Sequence, residues 1–356
     1  MTVSGPYEEA GPADPSPGAA AAAQDGAPAA APRHAEPVHV DFPPVENGVD
    51  YLRSVVDHLT AADPPASRDL KYAVLHLQAA AEVLLKARLA HEHWSLVFKD
   101  PGKATRKKFE EGDFISCTTE AAVERLRNVA GVAVNDKGAR ALDALAKTRN
   151  SLQHYGLTMP ARAVEARAAE VLDFLLDFIH TELALTGPVD FCGESITEAE
   201  QELAYVRARL STIQSFLKRR HDQLRPELEK VRDITTQCPL CTQWAVVLGS
   251  GTDPLSCRFC HHGWLSAELA AADNGLAQTA QGVEVAQCPD CCEDALLKGI
   301  ATVASAPAHR HSLCFACGTA FDVLNTCDSC EQLYSPNEDN DLGLCSDCLG
   351  ARIDRF

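Results

Sequence analysis

"SRDLKYAVLHLQAAAEVLLKARLAHEHW", residues 67–94, reads as one long helix. Leu70, Ala73, Val74, Leu77, Ala81, Leu84 and Arg88 recur with the 3.6-residue period that lays a single stripe along a helix, and Ser67 is a residue type that caps an N-terminus. Nowhere in 49–185 do β-branched residues alternate at period two, so the segment around this helix is read as helical throughout. A stripe of this kind must be covered by other helices, and the flanking sequence supplies them.

"VDYLRSVVDHL" (49–59) is a short helix stopped by "DPP". After it, 95–118 breaks the pattern with Pro and Gly and is expected to be a loop. Thr118 or Thr119 starts a helix through "EAAVERLRNVA", and "DKGARALDALAKTRNSLQHY" (136–155) is the next, with Gly156 as its C′ residue. Pro160 opens the last, "PARAVEARAAEVLDFLLDFIHTELAL". The expected fold class is mainly α, with an antiparallel bundle of four to five helices over 46–187. Residues 1–45, rich in Ala, Pro and Gly, cannot bury enough apolar surface to order and are expected to be a disordered leader.

Between bundle and C-terminus the pattern changes twice. Leu203, Val206, Leu210, Ile213, Leu217, Leu224, Leu228 and Val231 keep spacings close to three and four, interrupted by Arg220, which predicts a coiled-coil helix over 195–233 bent at Pro226. Its basic residues Arg207, Arg209, Lys218, Arg219, Arg220 and Arg225 are expected on a solvated face. Beyond it, twelve of the chain's 15 cysteines fall into six C-x₂-C pairs.

Cys238, Cys241, Cys257 and Cys260 make one four-thiolate set by spacing. Cys288, Cys291, Cys314 and Cys317 make a second, and Cys327, Cys330, Cys345 and Cys348 a third. Four thiolates suit a tetrahedral structural Zn²⁺ and leave no position for a catalytic water. "CPLC", "CPDC" and "CFACG" resemble the knuckles of zinc ribbons, expected over 236–264, 285–322 and 325–350. An iron–sulfur cluster or interleaved pairing of knuckles stays open at this point, and Cys292, His261 and His262 are extra ligand types beside complete sets.

Charge limits the functional classes. The net charge of −18 argues against a protein that simply coats nucleic acid, and residues 234–356 alone carry −10 before thiolates are counted. The ribbons are therefore expected to bind an unidentified protein partner, and RNA contact is expected in the first half. There "GKATRKK" offers Lys103, Arg106, Lys107 and Lys108 for RNA backbone, with Trp94 and Phe98 nearby. A solvated loop is the competing account. No stretch suits a membrane span or an export signal, which predicts a cytoplasmic protein without membrane partners.

"KTRNSLQHYG" (147–156) carries the catalytic candidates. Leu142, Leu145 and Leu152 define an apolar stripe, and Arg149 falls within it. A guanidinium there needs either a buried carboxylate, such as Asp173 or Asp177, or a polar cleft between subunits.

Arg149, Asn150 and His154, in a late helix of a bundle preceded by the amphipathic "LKYAVLHLQAAAEVLLKARL", resemble the R-x₄-H pattern of the HEPN superfamily. The resemblance covers about 50–185. It implies a metal-independent endoribonuclease whose site forms where two protomers meet, and by analogy a toxin or defence effector. Tyr155 follows His154 at once, whereas one subgroup of the family carries a tyrosine two residues on. The chemistry agrees: cleavage through the RNA 2′-OH needs a base near neutral pH and a fixed cation for the phosphorane. On one straight helix Arg149 and His154 lie roughly 140° apart, so two copies are needed to aim them together, and a homodimer is expected. The expectation from another functional class is a zinc-binding scaffold with a non-catalytic bundle.

Overall fold

The computed structural model describes residues 41–183, 195–249, 255–336 and 342–353. The expected leader lies outside the described residues up to position 40. Helix α1 (Pro44–Leu59) begins just inside its predicted end, with Pro44 in the first turn, where a missing N–H costs nothing.

Helix α2 (Ser67–Glu92) is the long helix of the opening stretch. Its N-cap is Ala66 with no side-chain cap, so Ser67 is the first helical residue and not the cap. Leu70, Ala73, Val74, Leu77, Ala80, Ala81, Leu84, Leu85 and Leu89 are all buried. That is more than one stripe, because α2 is covered from several sides. Helix α1 packs along it, as do α4 (Thr119–Asn128), α5 (Asp136–His154) and α6 (Ala161–Glu182). Burying each such Leu contributes about 1.5–3 kcal/mol. Arg88 escapes by pairing with Glu92 at 3.4 Å and with Glu182 of α6 at 3.6 Å.

Local signals place most boundaries. Thr118 caps α4 by accepting from the Ala121 N–H at 3.2 Å, and Asn135 caps α5 through Gly138 at 2.7 Å. Gly156, just past α5, takes the left-handed conformation expected of it, with φ +85°. Pro160 is the N-cap of α6. Residues 95–118 are more ordered than a loop: 3₁₀ turns at Trp94–Val97 and Pro101–Lys103 lead to α3 (Arg106–Glu111).

The predicted coiled coil is two helices. α7 (Ser195–Arg209) and α8 (Gln214–Leu228) are separated by a 3₁₀ turn at Leu210–Thr212. Leu203, Val206, Leu210, Ile213 and Phe216 are buried within the chain's own core. The seam is thus filled intramolecularly. α7 packs on α1, with Arg53 2.6 Å from Glu202 and Tyr205 donating to Asp57 at 2.6 Å, while α8 packs on α6.

Small antiparallel sheets follow. β1 (Thr235–Gln237) pairs with β2 (Trp244–Val247). Helix α9 (Ala267–Thr279) then packs on a four-stranded sheet ordered β3 (Ala286–Gln287), β4 (Asp294–Val303), β5 (Ala306–Cys314), β6 (Ala320–Phe321). β7 (Asn325–Thr326) and β8 (Leu333–Tyr334) form a third sheet, and α10 (Ser346–Ile353) comes last. The chain from Phe42 on forms one compact unit. Among the described residues no helix is long and apolar enough to cross a membrane.

Candidate metal centres and the Arg149 groove

Each knuckle is built by its own backbone. The residue after the second cysteine donates its N–H to the carbonyl of the first: Thr242 to Cys238 at 3.0 Å, and His261 to Cys257, Cys292 to Cys288, Gly318 to Cys314, Glu331 to Cys327 and Leu349 to Cys345 at 2.9 Å. In five of the six that donor residue has positive φ, between 58° and 77°. The sixth knuckle instead runs into α10. This turn aims both thiols of a knuckle to one side, and it explains His261 and Cys292. They close turns and are not needed as ligands.

The knuckles pair as their spacing predicts, without interleaving. Three groups, Cys238/Cys241/Cys257/Cys260, Cys288/Cys291/Cys314/Cys317 and Cys327/Cys330/Cys345/Cys348, have their four sulfurs within 4.8 Å of one another. Cross-knuckle Sγ–Sγ distances are 3.9 and 3.7 Å in the first and 3.8 and 3.7 Å in the second, and Cys330–Cys345 is 3.8 Å in the third. A disulfide would need about 2.05 Å. A tetrahedron with zinc–sulfur bonds of about 2.3 Å has edges of about 3.8 Å, so each group can hold one Zn²⁺ and has no room for a multi-iron cluster.

Thiol acidity points the same way. Hydrogen bonds from Cys241, Cys257 and Cys260 hold Cys238 far below the usual thiol value, whereas burial pushes Cys257 well above it. In the third group the Cys345 N–H, 3.3 Å from the sulfur, helps bring Cys327 down to about 6. Four crowded thiols cannot all ionise without a cation among them.

The first centre is joined to the helices by two buried arginines that had been expected on a solvated face. Arg207 of α7 donates to the carbonyls of Cys260 and His261 at 3.2 and 3.1 Å. Arg220 of α8 donates to the carbonyls of Phe259, at 3.2 Å, and Arg258. Arg220 also lies 2.9 Å from Asp173 of α6, and Arg219 lies 2.7 Å from Glu170. Phe216 meets Phe259 edge-on at 5.6 Å. The signal in the sequence was Arg220 interrupting an otherwise apolar seam.

Arg149 does not sit where the stripe predicted. The buried face of α5 is Gly138, Ala141, Leu142, Leu145 and Thr148, leaving Arg149 at its edge and Leu152 half-buried. Thr148 fills the stripe by donating to the Ala144 carbonyl at 2.8 Å and accepting from Arg167 at 2.8 Å. Neither Asp173 nor Asp177 reaches Arg149, since these carboxylates face Arg220, Arg219 and His261. Among the described residues no carboxylate pairs with Arg149. Its guanidinium donates to the Asn150 side-chain oxygen at 3.0 Å.

Arg149 and Asn150 line a groove of about 1090 Å³ formed with α4 and with Ser116–Thr119. His154 is exposed in the last turn of α5 and is not part of that lining. The groove is not basic. Glu82, Glu120, Glu124, Asp136 and Asp143 balance Lys86, Arg127, Arg140, Lys147 and Arg149.

The basic segment is likewise no free loop. Lys103 pairs with Asp100 at 3.2 Å, Arg106 with Glu110 at 2.8 Å and Lys107 with Glu111 at 3.9 Å, and Lys108 is exposed in the first turns of α3. Trp94 packs against Phe98 and Phe109.

No protein family, curated protein or solved structure is matched by this chain. Its functional reading rests on the residues.

Proposed function

We propose that the chain is a HEPN-type endoribonuclease that cleaves single-stranded RNA without a catalytic metal ion. The observation that carries this is Arg149: a guanidinium on a groove wall, beside Asn150, with which no carboxylate pairs among the described residues. A structural arginine would be expected to find a carboxylate, as Arg220 does, or backbone carbonyls, as Arg207 does, whereas Arg149 bonds the neighbouring Asn150 side chain. In this reading two copies bring their α5 helices together and so form a homodimer. His154 takes the proton from the 2′-OH, whose oxygen attacks phosphorus. Arg149 holds the added charge of the phosphorane, and Asn150 orients the phosphate. The 5′-oxygen leaves with a proton from the second copy's imidazole, giving a 2′,3′-cyclic phosphate and a 5′-hydroxyl end. The first Zn²⁺ centre braces the helices, the three together present the protein-binding arm, and the chain acts in the cytoplasm as a toxin or defence effector.

The charge balance of the groove favours a second reading, a zinc-binding scaffold whose bundle does no chemistry. With five carboxylates opposite five cations, and three of the four basic-segment residues paired, phosphate gains little net attraction.

The experiment is cleavage of labelled single-stranded RNA by zinc-loaded protein during a brief exposure to EDTA. Wild type should produce cyclic-phosphate ends, with a loss of about 10²–10⁴-fold in His154→Ala and a comparable loss in Arg149→Ala. Equal cleavage by His154→Ala overturns the assignment. Intact RNA in every wild-type reaction, across several sequences, supports the scaffold.

A further inference from the structure

We propose that His309, His311 and Asp322 form a fourth metal site, of open coordination, for a divalent transition ion of the Zn²⁺ class. His309 and His311 stand two residues apart on β5, so they point to the same face of the strand. The β5–β6 register pairs Ser312 with Phe321 and Leu313 with Ala320, which brings Asp322 opposite His311. One ligand atom from each of the three residues lies within 4.8 Å of the others. The two imidazoles meet edge-on with centroids 4.4 Å apart.

A second observation points to a missing ligand. His311 Nε2 is shielded from solvent and has no hydrogen-bond partner among the described residues. An orphan ring nitrogen is costly unless something occupies its lone pair or takes its proton, and the neighbours supplied by the fold are another imidazole and a carboxylate. A cation satisfies all three at once.

The donor set decides the kind of ion. Two neutral imidazoles and one carboxylate suit Zn²⁺, Co²⁺, Ni²⁺ or Cu²⁺, and suit Mg²⁺ or Ca²⁺ poorly. Three protein ligands leave at least one position for water or an outside donor, unlike the closed four-thiolate centres. His309 and Asp322 are exposed, so an ion here is open to solvent.

The test is calorimetric titration of Zn²⁺ into protein already holding its three thiolate-bound ions, followed by imidazole nitrogen shifts in NMR. One further equivalent should bind, shifting the His309 and His311 resonances. His309→Asn and Asp322→Asn, both at exposed positions, should weaken that equivalent about tenfold or more and retain the three thiolate-bound ions. Absence of a fourth equivalent overturns the proposal, as does a fourth equivalent that both variants bind as tightly as wild type. The His311→Gln variant serves only as confirmation, because its ring is half-buried.

Discussion

Arg220 and Asp173 lie 2.9 Å apart with side chains only 10% and 13% exposed, and the same guanidinium donates to the Phe259 carbonyl of the first metal centre. One ion pair therefore holds α6, α8 and a cysteine knuckle together. Taking two charges out of water is expensive, and the cost is offset by the backbone carbonyls that the guanidinium also reaches and by the charge of Arg219, 3.7 Å from the carboxylate.

Removing one partner should be worse than removing both. Arg220→Ala is expected to lose about 3–5 kcal/mol in urea denaturation followed by helix circular dichroism. Arg220→Met combined with Asp173→Leu should lose less than Arg220→Ala alone. A single-variant loss below about 1 kcal/mol, the range of exposed pairs, would show that the joint is not buried in solution.

The three centres should differ in what they hold up. The first shares the main core with the helices, whereas Cys327, Tyr334 and Leu344 form a small core of their own. Cys260→Ser should lower the thermal midpoint of the helical signal, and Cys345→Ser should leave it within about 2 °C of wild type. Equal shifts in both variants would contradict this division.

His76 should titrate below the ordinary histidine value of 6.5. Burial is the main cause, followed by the charge of His58, against a weaker pull from Asp50. The ring accepts or donates at 2.8 Å with Ser54, between α1 and α2. Because the folded value is lowered, the unfolded chain takes up this proton first as pH falls below 6.5. The group's contribution to stability is complete above that pH and declines as pH drops toward the folded value. An NMR titration of the His76 ring with a midpoint at or above 6.5 would refute the assignment.

Gly48 is set by packing and not by backbone freedom. A Cβ built there falls 2.5 Å from Leu84 Cγ, where α1 crosses the fully buried α2 side chain. Gly48→Ala gains about 1 kcal/mol of helix propensity and meets about 1–3 kcal/mol of overpacking. Net destabilisation in a denaturant melt is the expected result, and a stabilised variant would mean that the two helices separate easily.

The helices were legible where a cap or a long period marked them, as at Thr118, Gly156 and the α2 stripe. The seam of 195–233 was read as one coiled-coil helix and is two helices with Leu203, Val206, Leu210 and Ile213 buried, since spacing does not say what fills it. Arg149 shows the limit at a finer scale. On α5 a one-residue rotation exchanges Arg149 for Thr148 on the buried face, and sequence cannot see that Arg167 reaches across to bond the threonine hydroxyl. Nothing in the sequence linked His309 and His311 to Asp322 eleven residues further on, because only the β5–β6 register brings them together.

By itself the sequence determined the three four-cysteine groups. Each C-x₂-C turn is closed by a hydrogen bond within five residues, and four thiols of matching geometry have few other stable arrangements. Tertiary structure alone decided which charges are buried and which are free. Arg207 and Arg220 find their carbonyls 38 to 54 residues away, while Arg149, of the same chemical type, is left on a groove wall. Burial of a charge depends on the partners that meet it across the fold, and local periodicity carries no record of them.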